Sequence, residues 1–144
     1  MTSSNAGSLL TTYGLCRIGV PTDGNCLFHS LAFFIKDPTL NHLSLRRRLC
    51  AFIAAHPDHF ASIVVDSQYS SLSDYIAVMS RPGVFGDGSC IDAFSLLFGL
   101  NVVIFNDDQC YETLPDSEIN IALYWDRQRG HYEPAIPRSS PLLI

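Results

Sequence analysis

Basic residues are scarce in this chain: nine Lys and Arg stand against fourteen Asp and Glu, for a net charge of −5. A surface that tracks nucleic-acid phosphates needs clustered Lys and Arg, so no nucleic-acid partner is expected. The only basic run, Arg46-Arg47-Arg48, falls within a helical pattern whose apolar stripe is Leu45, Leu49, Phe52 and Ile53, and it reads as that helix's solvated face. CxxC pairs are absent too. The five cysteines, at positions 16, 26, 50, 90 and 110, are odd in number and scattered, which argues against a disulfide framework or a cysteine-rich zinc site and for a reducing compartment. No His, Cys or acidic cluster has ligand spacing, so neither metal nor cofactor is expected. No apolar run approaches a membrane span and no secretory h-region follows the start. The expectation is a soluble, cytoplasmic chain with no membrane partner.

The chain does hold 144 residues with 47% hydrophobic content, enough for one domain to bury a core without covalent staples. Residues 1–8 are small and polar and read as a flexible leader, which leaves 9–144 as a single domain. Periodicity predicts a strand over 15–20 and helices over 27–35, 44–55, 58–65, 72–79 and 90–98. Ser44 is the expected N-cap of the second helix, and Gly99 ends the last one. Strands follow over 100–105, 119–124 and 131–136, with a polar loop over 106–117 and a hairpin turn over 126–130. The near-continuous apolar run of the first of these suits a central position, whereas Pro134 and Pro137 place the last strand at an edge or keep it short. The glycine-rich stretch 83–89 lacks the Lys of a phosphate-cradling loop and reads as a bend that sets Phe85 against the sheet.

Chemistry concentrates at Asp23-Gly24-Asn25-Cys26, a turn between the first strand and the first helix. A cysteine at a helix N-terminus meets free amides and the positive end of the dipole, which favours thiolate and offers donors to an oxyanion. Gly24 allows a tight turn and close approach of a substrate carbonyl, while Asp23 and Asn25 supply turn and capping groups. Such a thiol needs a base that is remote in sequence. Of five histidines, His29 shares the helix of Cys26, and His42, His56 and His59 flank helices. His131 starts a strand after a glycine, with Glu133 two residues on and so on the same face, where it could orient the ring. The residues alone leave two readings open: a Cys26–His131 hydrolase, or an Asx-Gly turn followed by a buried helix cysteine.

At these positions the chain resembles a known family. Asp23-Gly24-Asn25-Cys26-Leu27-Phe28 resembles the Asp-Gly-x-Cys-Leu-Phe nucleophile motif of the ovarian tumour (OTU) cysteine proteases, most of which are deubiquitinases. His131-Tyr132 is similar to the family's His-aromatic motif, and Gly83-Val84-Phe85-Gly86 to its middle motif, with Phe85 where members usually carry tryptophan. The resemblance implies an α+β, papain-like OTU fold with a small, mostly antiparallel central sheet packed between helices. It implies thiol-dependent cleavage of isopeptide bonds at the C-terminus of ubiquitin or a ubiquitin-like protein, with ubiquitinated substrates as partners. Carried over, Cys26 is the nucleophile, His131 the general base, and Asp23, Gly24, Asn25 and Cys26 the oxyanion loop. Glu133 stands where the family usually has Asp or Asn, which leaves the third catalytic residue between Glu133 and Asp23. The short chain is like the compact viral members, for which polyprotein processing in a host cytoplasm is the alternative activity. A silent ubiquitin-binding module on the same scaffold is another.

Overall fold

The structure, a computed structural model, describes residues 9–66 and 69–138; the leader expected over 1–8 lies outside them. In chain order the elements are α1 (Leu9–Thr12), β1 (Leu15–Arg17), α2 (Cys26–Ala32), α3 (His42–Ala55), α4 (Ser62–Asp66), α5 (Leu72–Met79), α6 (Gly88–Phe98), β2 (Asn101–Phe105), β3 (Cys110–Glu112), β4 (Asn120–Asp126) and β5 (His131–Pro137). The strands form one sheet in the order β1-β5-β4-β2-β3. Every neighbouring pair is antiparallel except β2 and β4, so the fold is α+β with a mostly antiparallel sheet.

Alternation along the strands divides the apolar residues between two faces. Val102 and Leu123 join Leu27, Phe28, Leu31, Leu45, Leu49, Ile53, Ile91 and Phe94 in the main core beneath the helices. Phe105, Tyr124 and Ala135 face the other way and meet Leu10 of α1. Helix α2 has only seven residues, yet Leu27, Phe28 and Leu31 are fully buried. Each such side chain contributes about 1.5–3 kcal/mol, which holds so short a helix against its poor intrinsic stability.

Several expectations are corrected. The cap of α3 is Asn41, not Ser44: its side chain accepts from Leu43 N and Ser44 N, so the helix begins two residues earlier. Asp87 caps α6 in the same way, and Gly99 closes that helix at φ 65°. The polar loop after β2 contains β3, whose three residues are all exposed and so carry no alternation. Strand β5 is interior, flanked by β1 and β4. The N–H and C=O of one residue point to the same side of a strand. The carbonyl of Pro134 accepts from Ile18 N, so the N–H that Pro134 lacks falls where β1 has already ended. Phe85 is not packed on the sheet but stands 58% exposed.

Candidate active site

The turn ahead of Cys26 is built from short-range hydrogen bonds. The Asp23 carboxylate accepts from Asn25 N at 2.9 Å, and the Asp23 carbonyl accepts from Cys26 N at 3.2 Å. Asn25 occupies the cap position of α2 but makes no side-chain cap. Its side-chain oxygen instead accepts from Gly83 N at 2.8 Å and from Arg46 Nη2 at 2.9 Å. Gly24 is required for a reason other than a left-handed backbone, since its φ is not positive. A Cβ there would stand 1.6 Å from the Gly83 carbonyl oxygen. The space that glycine opens is thus filled by the Gly83 backbone, not left for a substrate carbonyl.

Arg46 overturns the reading of the basic run as a solvated face. Arg47 and Arg48 are exposed, but Arg46 is buried in the core. Its Nη1 donates to Met79 O at 2.9 Å and its Nη2 to Val84 O at 2.8 Å and Gly24 O at 3.2 Å, while the guanidinium lies 4.1 Å from the Phe28 ring centre. One side chain on α3 therefore ties the nucleophile turn to the segment after α5. A buried cation needs acceptors, and here three backbone carbonyls and the Asn25 side chain serve Nη1 and Nη2 while Nε is left without a partner.

Cys26 starts α2 as expected and is almost completely buried against β5. Tyr132 N donates to its sulfur at 3.4 Å, and Ser30 Oγ bridges the Cys26 and Tyr132 carbonyls at 2.8 and 3.1 Å. Burial pushes the Cys26 thiol up from its ordinary pKa; the Tyr132 and Leu27 amides pull it down, and the Asp23 charge adds to the rise. The expected preference for thiolate is corrected: desolvation outweighs the helix N-terminus in the unliganded protein.

His131 opens β5 and is 1% exposed. Its Nε2 lies 3.3 Å from Glu133 Oε2, without the alignment of a hydrogen bond, and its Nδ1 has no partner. The other Glu133 oxygen accepts from Arg17 Nε at 2.7 Å, and the Arg17 guanidinium sits 4.3 Å from the Tyr124 ring centre. Asp23 is exposed and makes no hydrogen bond or ion pair with His131. Of the two acids considered, Glu133 is the one beside the imidazole. Phe85, Gly86, Trp125, Arg129, Gly130 and Tyr132 line a cavity of about 260 Å³, with the Trp125 and Tyr132 rings 4.4 Å apart. Tyr132, which lines this cavity, also contacts the Cys26 sulfur through its backbone N. A larger one, about 380 Å³, lies between Tyr13 and the sheet, away from Cys26.

The Cys26 sulfur at Tyr132 N and the His131 imidazole beside the Glu133 carboxylate thus lie at the same end of β5. The profile of the family described as OTU-like cysteine protease matches residues 21–136. The chain belongs to this family. It is 30% identical over 112 residues to the OVARIAN TUMOR DOMAIN-containing deubiquitinating enzyme 10 of Arabidopsis thaliana, a match that covers 76% of this chain and 30% of that protein. It is 34% identical over 95 residues to OTU domain-containing protein 3 of Mus musculus, covering 66% and 24%. The chain therefore spans less than a third of the length of either relative. Among solved structures, the Hazara virus OTU bound to ubiquitin superposes with a TM-score of 0.77 at 18% identity, over 92% of this chain and 87% of that one.

Sequence reasoning about the OTU-like domain singled out Cys26, His131 and Glu133 but missed the side chains packed around them. Arg46 carried a misleading signal, since it stands beside two exposed arginines. Arg17 and Ser30 carried none, because each acts through a contact more than a hundred residues away in the chain.

Proposed function

We propose that the protein is a thiol hydrolase that cleaves isopeptide bonds at the C-terminus of ubiquitin or a ubiquitin-like protein. The observation that carries this reading is the Cys26 sulfur held against Tyr132 N while His131, the preceding residue, is buried with Nε2 at a carboxylate and Nδ1 unpartnered. His131 Nδ1 takes the Cys26 thiol proton, the sulfur attacks the isopeptide carbonyl, and the imidazolium returns the proton to the leaving lysine amine. Water then hydrolyses the thioester and restores the thiol. Protonation of His131 draws the Glu133 carboxylate into a charge-assisted bond, so its 3.3 Å contact shortens as the reaction begins. The Cys26 amide, bound at 3.2 Å to the Asp23 carbonyl, exchanges that acceptor for the oxyanion. The cavity lined by Phe85, Trp125 and Tyr132 takes the substrate tail, whose small residues suit a channel walled by Gly86 and Gly130.

Support for ubiquitin as the partner comes from family membership and from the ubiquitin-bound Hazara virus relative. A viral polyprotein as second substrate rests on chain length and a likeness of fold at 18% identity, so the ubiquitin reading is preferred. The test is a panel of di-ubiquitin linkages and ubiquitin-like proteins carrying a C-terminal fluorogenic amide. Turnover of at least one, abolished by Cys26→Ala and indifferent to chelators, is expected. No turnover across the panel defeats the assignment.

A further inference from the structure

Glu133 lies two residues beyond His131 on the same face of β5, and its carboxylate is shared. Oε1 accepts from Arg17 Nε at 2.7 Å, while Oε2 stands 3.3 Å from His131 Nε2. The shorter and better aligned contact is the one to Arg17. A glutamate turns about three side-chain torsions, so something must select the rotamer that faces the imidazole. Arg17 is itself held from two strands: β1 pairs it opposite Ala135 of β5, and Tyr124 of β4 lies under its guanidinium. Tyr124 sits opposite Glu133 in the β4–β5 register, and its hydroxyl donates to Asp107 at 2.6 Å.

We propose that Arg17 is a positioning residue for the hydrolysis: by binding Oε1 it fixes the Glu133 rotamer that presents Oε2 to His131 Nε2 and so keeps Nδ1 free for the Cys26 thiol. This rests on the Cys26–His131 reading above. The charged groups around the pair are Arg17 from β1, Asp107 beyond Tyr124, Asp126, which stands opposite His131 on β4 and pairs with Arg129 at 3.7 Å, and Arg127, which lines a cavity with Arg17 and Asp107. Arg17 is the cation in contact with the carboxylate. Without it, the Glu133 rotamer is no longer selected and Oε2 leaves Nε2, so the ring is no longer held for the thiol. A residue that merely stabilised the sheet would not change the rate in a way that depends on Glu133.

The experiment compares two rates in the parent, Arg17→Gln, Arg17→Lys, Glu133→Gln and the Arg17→Gln, Glu133→Gln double variant. One is hydrolysis of a ubiquitin C-terminal fluorogenic amide, and the other is carboxymethylation of Cys26 by iodoacetate, read by peptide mapping, which needs no ubiquitin. Arg17→Gln is expected to lower kcat about tenfold with KM within about twofold, and to slow Cys26 carboxymethylation. In the Glu133→Gln background the same change should cost less than about twofold more, because both substitutions break one arrangement. Arg17→Lys keeps the charge without the planar fork and should recover part of the rate at an unchanged thermal midpoint, which keeps the test open if Arg17→Gln folds poorly. Equal losses in the two backgrounds, a loss carried by KM with kcat unchanged, or an Arg17→Lys protein that folds with parental kcat would each overturn the role. If the ubiquitin amide is not turned over but Cys26 carboxymethylation still depends on Arg17, the substrate assignment fails and the role of Arg17 stands. If carboxymethylation ignores Arg17, the role falls whatever the substrate.

Discussion

Arg46 Nη2 stands 2.9 Å from the Asn25 side-chain oxygen and 3.2 Å from the Gly24 carbonyl, so a cation buried on α3 holds the turn that ends at Cys26. Desolvation pulls its pKa below the usual arginine value, the mark of a charge with little water around it. Arg46→Met keeps much of the volume but leaves the Gly24, Met79 and Val84 carbonyls without a donor. Unsatisfied buried acceptors cost about 1–3 kcal/mol each, so urea unfolding should report a loss of about 3 kcal/mol or more. A loss under about 1 kcal/mol would mean that water reaches these carbonyls and the arginine is dispensable.

Gly24→Ala tests the close approach to Gly83. The added methyl meets backbone at 1.6 Å, and backbone cannot swing aside as a side chain can. The turn must move, carrying Cys26 with it, and kcat should fall about a hundredfold. At Gly86 the nearest atoms are the ends of the Leu27 and Phe28 side chains, so Gly86→Ala should be milder in the same assay. The opposite order would refute the reading of Gly24.

Two labels should rank the cysteines differently. Cys110 is exposed, Cys16 half-buried, and Cys26, Cys50 and Cys90 are buried, with burial raising all three of the buried thiols. A small alkylating agent at neutral pH should therefore reach Cys110 readily. Ubiquitin bearing a C-terminal electrophile should instead mark Cys26, because the tail delivers the electrophile to that sulfur and excludes water there. Peptide mapping distinguishes them, and a ubiquitin adduct on Cys110 would contradict the assigned site.

Asp23→Asn should be nearly silent. The side chain's visible task is to accept from Asn25 N at 2.9 Å, and an asparagine oxygen does the same. The lost charge also removes a repulsion that raises the Cys26 thiol. We expect kcat within about threefold of the parent, against a loss of roughly ten- to a thousandfold for Glu133→Gln. A crippled Asp23→Asn beside an active Glu133→Gln would exchange the two roles.

The His29 and His42 rings lie with centres 3.9 Å apart, next to the nucleophile helix. Burial, then the positive charges of His29 and Arg46, depress the His42 pKa below 6.5, and its Nδ1 is buried without a partner. Below pH 6.5 the unfolded chain therefore binds protons that the folded His42 refuses. The stability that His42 contributes is complete above that pH and is lost as pH falls from there through the lower folded value. Urea midpoints between pH 7.5 and 5 should decline, and His42→Gln should flatten the decline about that window. An unchanged slope would mean that other groups carry it.

Much of this architecture was legible locally. Helix α5 ends where periodicity and the following Arg81-Pro82-Gly83 turn put it, Gly99 closes α6, and the strand-turn-helix around Cys26 is present. Apart from the α3 cap, a local choice between Asn41 and Ser44, the main errors share a cause: each concerned a residue whose neighbour lies far along the chain. Pro134 reads as an edge signal until Ile18 is known to bond its carbonyl at the point where β1 stops. Arg46 reads as solvent-facing until the carbonyls of Gly24, Met79 and Val84 are brought around it. A helix N-terminus promises a thiolate until burial against β5 is added.

The interior position of β5 bears on how such an enzyme can be switched off. Amides bonded to strands on both sides open to solvent exchange only in large, costly openings, whereas a short turn opens in small ones. Ala135 has β1 on one side and β4 on the other, whereas His131 is paired with β4 alone and Cys26 starts a seven-residue helix behind a turn. Local breathing therefore reaches the His131 end of β5 and the turn before Cys26 before it reaches the doubly paired part of the strand. A partner or modification that silences this site has its easiest handle at residues 21–26 and 80–86, the segments that Arg46 stitches together.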